Sequence, residues 1–199
     1  MSAFNNADLR LLSTFSKTFT LALSKTGPQA GTQQSTDKDA LSGLYTSRHF
    51  MELAKGECER AKRYKRHLTI LLLDIDNFGR INDFYGYDIG DNVIDTTAQI
   101  IKKNLREIDL IGRYGADEFI LLLPETDLFG AATVAERLHQ VITQEPVKIK
   151  NVHMEIRLTI SVGLSKLMEN FQNVGSLIKL AEQALEAAKQ TGGARTEIR

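Results

Sequence analysis

The sequence predicts an α+β domain built on a central, mostly antiparallel sheet. Three observations carry that expectation. Leu68–Asp74 is an apolar run ending in carboxylates, as a buried central strand does. Two short strand-like runs, Leu110–Tyr114 and Phe119–Leu123, are separated by Gly115–Glu118, a hairpin signature. Amphipathic stretches with apolar residues at three-four spacing lie between these runs. The order is strand, helices, strand, strand, helix, strand and a closing helix. That is the split βαββαβ, ferredoxin-like arrangement, with helices expected on one face of the sheet.

Residues 1–38 are expected to form an N-terminal helix and a linker, and residues 39–199 the main domain. Leu9, Leu12, Phe15, Phe19 and Leu23 give residues 7–24 an apolar stripe. Lys25–Lys38 is rich in Gly, Gln, Thr and Ser, as linkers are. Either this helix packs in the ordinary way, or it dimerises or transmits a signal across the linker. Ser47–Arg66 is expected to be helical, with Phe50, Leu53 and Cys58 on one side and basic residues near its end, where they suit the helix dipole. Two helical segments follow Asp76, Phe78–Phe84 and Asp91–Arg106, the second with Ile94, Thr97, Ile101 and Leu105 on one face. Pro124 stops the second hairpin strand. Leu128–Thr143 is helical through Val134, Leu138 and Val141, and Val147–Ile149 with Met154–Leu164 reads as a hairpin plus a longer strand. Val174–Gln190 is the last helix, and Gly192-Gly193 ends it.

Composition narrows the function. With 42% hydrophobic and 25% charged residues among 199, the chain can bury a core, which excludes a disordered polymer. No stretch reaches the ~20 consecutive apolar residues of a membrane helix. Met1–Arg10 has no cationic region followed by an apolar one, so no secretory signal is expected. Lys plus Arg equals Asp plus Glu at 25 each, which argues against nucleic-acid or membrane partners. One cysteine, Cys58, forms no internal disulfide, and a reducing cytoplasm is expected. His49, His67, His139 and His153 are too scattered for zinc. The absence of G-x-x-x-x-G-K-[ST] and G-x-G-x-x-G removes the main support for P-loop and Rossmann folds.

The chemistry concentrates in two acidic places. Asp74-Ile75-Asp76 ends the buried strand, and its two carboxylates are expected to diverge, so that only one faces a given site. Asp117-Glu118 lies in the hairpin tip. If the two strands are neighbours, three carboxylates converge, and hard oxygen ligands suit Mg2+ bound through one or two carboxylates plus substrate phosphates.

Taken with their flanks, these residues resemble the GGDEF (diguanylate cyclase) family. The resemblance runs through Asp39-Ala40-Leu41-Ser42-Gly43-Leu44, then Leu73-Asp74-Ile75-Asp76-Asn77-Phe78, then Ile81-Asn82-Asp83 and Gly90-Asp91. It continues through Arg113-Tyr114-Gly115-Ala116-Asp117-Glu118-Phe119, Ile160-Ser161-Val162-Gly163 and Ala181-Glu182-Gln183-Ala184-Leu185 with Ala188-Lys189, covering Asp39 to Arg199. It implies a palm-like domain, similar to nucleotidyl cyclases, that joins two GTP molecules into cyclic di-GMP, a bacterial second messenger. Each protomer of a homodimer would present one GTP, with Mg2+ or Mn2+ as cofactor. By motif match, Asp74, the Ile75 carbonyl, Asp117 and Glu118 would hold the metal, and Asp117 would also accept the proton. Asn82 and Asp91 would read guanine, Phe78 and the residue at Tyr87 would contact the nucleotide, and Lys189 would meet the terminal phosphates. Arg106-Glu107-Ile108-Asp109 resembles the family's R-x-x-D product-inhibition site, where an arginine suits a guanine edge or phosphate.

Four positions depart from the family. Ala116 replaces the second signature glycine, at ~1–2 kcal/mol if that position needs a left-handed backbone. The family's lysine is Gly79, its histidine Tyr87, and the arginine four residues after Lys189 is Gly193. These departures support an alternative, a catalytically silent receptor for GTP or cyclic di-GMP.

Overall fold

The protein is represented by a computed structural model that describes residues 37–149, 154–168 and 173–199. The helix expected over residues 7–24 and the linker as far as residue 36 lie outside them. The elements run β1 (Tyr45–Thr46), α1 (Ser47–Tyr64), β2 (Leu68–Ile75), α2 (Phe78–Tyr85), α3 (Tyr87–Lys103), β3 (Leu110–Arg113), β4 (Glu118–Pro124), α4 (Leu128–Gln144), β5 (Val147–Ile149), β6 (Met154–Ile156), β7 (Ile160–Lys166), α5 (Val174–Gln190) and β8 (Thr196–Ile198).

Local chemistry sets several of these limits. The Thr46 side chain accepts the His49 N–H at 3.4 Å and caps α1, and Lys65 closes that helix in a left-handed turn at φ 50°. Asp127 and Asn173 cap α4 and α5 in the same way, accepting N–H groups of Gly130 and Ser176.

Six strands form one sheet in the order β1-β3-β4-β2-β7-β8, and β5 pairs with β6 apart from it. The inner four strands are antiparallel, which is the expected ferredoxin-like core. Two short parallel strands, β1 and β8, extend the edges and were not expected. Neither carries a local signal; each is placed by a register available only after the hairpins have paired.

All eight residues of β2 are buried. Leu71, Leu73 and Ile75 pack with Ile94, Ile101, Ala135 and Leu138 of α3 and α4. Ile70 and Leu72 face the opposite way, against Phe50, Ala54 and Cys58 of α1 and Leu177 and Ala181 of α5. Helices therefore cover both faces, correcting the expectation of one. The reason is in the strand itself: an apolar run without alternation has no side to give to water. On β7, Gly163 permits the close crossing of α5, since a Cβ there would strike the Ala181 and Leu185 backbone.

Candidate active site

The site is built where β2 ends. Pairing sets Asp74 opposite Glu118 on one side and Ser161 on the other. The hairpin closes through Tyr114 and Gly115, whose N–H groups both donate to the Glu118 carbonyl at 2.8 and 3.2 Å. The Ile75 N–H donates to the Asp117 carbonyl at 3.3 Å, tying the hairpin tip to the strand end. Asp74, Ile75, Asp117 and Glu118 are thus brought together. Lys189, in the last turn of α5, donates from Nζ to Asp74 Oδ2 at 2.6 Å.

Electrostatics mark Asp74 out. Only 6% exposed, it is pushed up to about 6 chiefly by burial, with the Asp117 and Glu118 carboxylates adding to the rise and Lys189 opposing it. Burial pulls Lys189 down, but the hydrogen bond and charge of Asp74, with Glu118 and Asp117, outweigh that and hold the amine above its ordinary value. A buried carboxylate crowded by two others and balanced by one lysine is short of positive charge.

Asp76 behaves differently. It lies one residue beyond the end of β2, in the turn before α2. What separates them is their partners. Asp76 accepts hydrogen bonds from Thr159 Oγ1 (2.7 Å), Ser161 Oγ (2.6 Å) and the Ala194 N–H (3.0 Å). It thereby clamps the turn after α5, where Gly192, Gly193 and Ala194 are all left-handed at φ 111°, 71° and 51°.

Arg113 braces the hairpin tip. Its Nη1 reaches Asp39 Oδ1 at 3.2 Å while Nη2 donates to the Ala116 carbonyl at 2.8 Å. Burial alone would raise Asp39, yet hydrogen bonds from Ser42 and the Arg113 guanidinium hold it below the usual carboxylate range. Tyr114 donates to Glu182 on α5 at 2.9 Å, and burial followed by that carboxylate pushes its hydroxyl up to about 12. Neither brace was singled out in the sequence, although Arg113, Tyr114, Asp39 and Glu182 all fall within the quoted motifs. Ala116 does not have a positive φ, so the penalty attached to a left-handed alanine does not arise there.

The remaining expected residues form two separate groups. On the α2–α3 corner, Asn82 Oδ1 is buried without a partner, and a Cβ at Gly90 would strike it and approach Phe78 to 3.3 Å. Asp91 follows Gly90 and is exposed, while Tyr87 is 77% exposed at the start of α3. Among the described residues no hydrogen bond or ion pair joins this corner to the carboxylate cluster. Arg106 and Asp109 meet each other on the loop before β3, where the Arg106 N–H donates to Asp109 Oδ2 at 2.8 Å. They line a hollow of about 420 Å3 that also takes in Lys38, Tyr45 and Lys102. Asp109 Oδ1 is buried and unpartnered, and burial raises this carboxyl against the opposing pull of Arg106 and Arg137.

Among the described residues no three acidic, histidine or cysteine side chains form a ready-made metal cage. Mg2+ does not require one, since substrate phosphates complete its shell. The crowded carboxylates around Asp74 fit a hard divalent cation, whose charge would relieve the repulsion that Lys189 opposes.

Comparison with known proteins agrees with this geometry. Residues 36–195 match the family model described as diguanylate cyclase, GGDEF domain. The chain is 33% identical over 166 residues to a probable diguanylate cyclase, DgcC, of Escherichia coli, covering 83% of this chain and 44% of that protein. It is 37% identical over 134 residues to diguanylate cyclase A of Treponema denticola, covering 67% of this chain and 36% of that one. It spans less than half the length of these relatives. Among solved structures, the active GGEEF domain of a diguanylate cyclase from Vibrio cholerae superposes with a TM-score of 0.71 at 30% identity, over 78% of this chain and 97% of that one. The GGDEF domain of DgcB from Caulobacter crescentus, in complex with c-di-GMP, shares the fold with a TM-score of 0.79 at 24% identity, over 84% and 98%. The chain belongs to the diguanylate cyclase, GGDEF domain family.

Proposed function

We propose that this chain is a working diguanylate cyclase that condenses two GTP molecules into cyclic di-GMP with Mg2+ or Mn2+. The observation that carries the reading is the cluster of Asp74, Asp117 and Glu118 around Lys189 at the end of β2. Asp74, the Ile75 carbonyl, Asp117 and Glu118 would hold the cation. When bound, that ion neutralises phosphate charge and lowers the pKa of the attacking hydroxyl.

The chain's own groups supply the rest. Asn82 Oδ1 accepts from the guanine edge, which satisfies its buried and unpartnered oxygen, and Asp91 accepts a second guanine N–H. Phe78 and Tyr87 flank the nucleotide. Lys189, relieved of balancing Asp74, turns to the terminal phosphates. The 3′ oxygen of one GTP bonds to the α-phosphorus of the other as pyrophosphate leaves, and Asp117 takes the hydroxyl proton. Because each domain presents one GTP, a homodimer brings the two into line. Arg106 and Asp109 bind the product and inhibit. Residues 39–199 form the catalytic unit, in the reducing cytoplasm, and the segment before them carries dimerisation or input.

The test is incubation of the purified chain with GTP and Mg2+, followed by assay for cyclic di-GMP and pyrophosphate, with Asp117→Ala as control. Product from the wild type and none from the variant is expected. No product from a chain shown to dimerise overturns the reading. A second reading, a silent receptor, is favoured by Tyr87 facing solvent and by the lack of a cationic side chain at Gly79 and Gly193. Calorimetry separates the two, since tight cyclic di-GMP binding that Arg106→Ala abolishes, without turnover, identifies a receptor.

A further inference from the structure

The chain carries 25 basic and 25 acidic residues, but this balance hides a local excess. Arg60, Lys62, Arg63, Lys65, Arg66 and His67 crowd the end of α1 and the turn into β2. The left-handed residue Lys65, at φ 50°, makes this run wrap a corner instead of lying along one helix face. Lys166 reaches the same corner because it pairs with Thr69 at the start of β2. Part of this group borders a hollow of about 620 Å3, with Lys65, Arg66, His67 and Lys166 at its walls and Leu167 and Met168 adding apolar surface. Among the described residues no acidic side chain lines it. Among the described residues, the side chains of Lys65, Arg66 and Lys166 have no carboxylate partner. The hollow lies at the opposite end of β2 from Asp74, about 20 Å away along the strand.

Lys65, Arg66 and Lys166, gathered at one hollow, raise the local positive potential and favour an anionic partner. Met168, 40% exposed among them, adds an apolar contact. The geometry points to a docking site for an acidic peptide segment of a partner protein, its carboxylates on Arg66 and Lys166 and an apolar side chain on Leu167 and Met168. Inorganic phosphate would leave the apolar surface unused. The site is independent of the carboxylate cluster and of the proposed turnover.

Fluorescence polarisation tests it with a labelled peptide of glutamates interrupted by one leucine, titrated with the full chain. The account expects saturable binding that weakens as salt rises. Arg66→Glu with Lys166→Glu should weaken it about tenfold or more while keeping the wild-type melting temperature, and Arg66→Lys with Lys166→Arg should preserve it. Equal affinity for the glutamine analogue, or for the charge-reversed variant, overturns the proposal. So does retention on anionic but not neutral vesicles without peptide binding, which assigns the patch to lipid.

Discussion

Asp74 lies at the end of β2 and Asp76 in the turn just beyond it, two residues apart, yet their surroundings make them opposites. Asp76 is surrounded by neutral donors, two hydroxyls and a backbone N–H, each within 3.0 Å. Asp74 faces a lysine and two like charges and is buried against its own ionisation. The contrast separates a carboxylate that holds the fold from one whose charge the fold tolerates at a cost. Costly charges of this kind cluster at functional sites.

Substitutions at the two positions should therefore fail in different ways. The largest effect is expected on turnover: Asp74→Asn or Asp117→Ala should lower cyclic di-GMP synthesis about 100-fold or more, measured by product assay at saturating Mg2+. Asp76→Ala strands three donors and frees the turn after α5, so thermal unfolding should show a loss of about 3 kcal/mol, roughly 6–12 °C in Tm. If Asp76→Ala melts like the wild type, the contrast between the two aspartates fails.

The pH dependence sharpens the comparison. Asp74 has its folded pKa raised from 3.8 to about 6, so its contribution to stability is fully present below 3.8 and is lost as pH rises through 6. Asn mimics the protonated form. Asp74→Asn should consequently raise Tm at pH 8 by roughly 2–4 °C, and by less at pH 5, in melts without metal. A variant that is inactive and yet more stable is the signature of a functional charge. The smallest effect lies in the turn that Asp76 clamps. Ala194 is left-handed at φ 51°, and Ala194→Gly should stabilise by about 0.5–1 kcal/mol in denaturant unfolding.

The contrast also marks what was legible in the sequence. The Leu68–Asp74 run announced a strand buried on both sides, and placing helices on one face ignored what that run implied. Val174–Gln190 was readable because apolar residues at helical spacing run to a Gly-Gly stop, and the structure adds the Asn173 cap. β1 and β8 were not, since two or three residues pairing in parallel at a sheet edge carry no periodicity of their own. At the site, the clustering of Asp74, Asp117 and Glu118 followed from adjacent strands. The tasks of Asp76, Arg113 and Tyr114 did not, because hydroxyl and carbonyl partners such as Ser161 and Ala116 are common residues whose proximity only the register creates. Ala116 illustrates the converse: its penalty depended on a backbone angle that the sequence does not display.

The most direct test of the central claim, that the carboxylates at the end of β2 hold a divalent cation against a nucleoside triphosphate, is calorimetric titration of Mn2+ into the chain saturated with a non-hydrolysable GTP analogue. The account predicts binding in the wild type that Asp74→Asn abolishes and Asp76→Asn retains. Equal Mn2+ binding by the wild type and Asp74→Asn would contradict it.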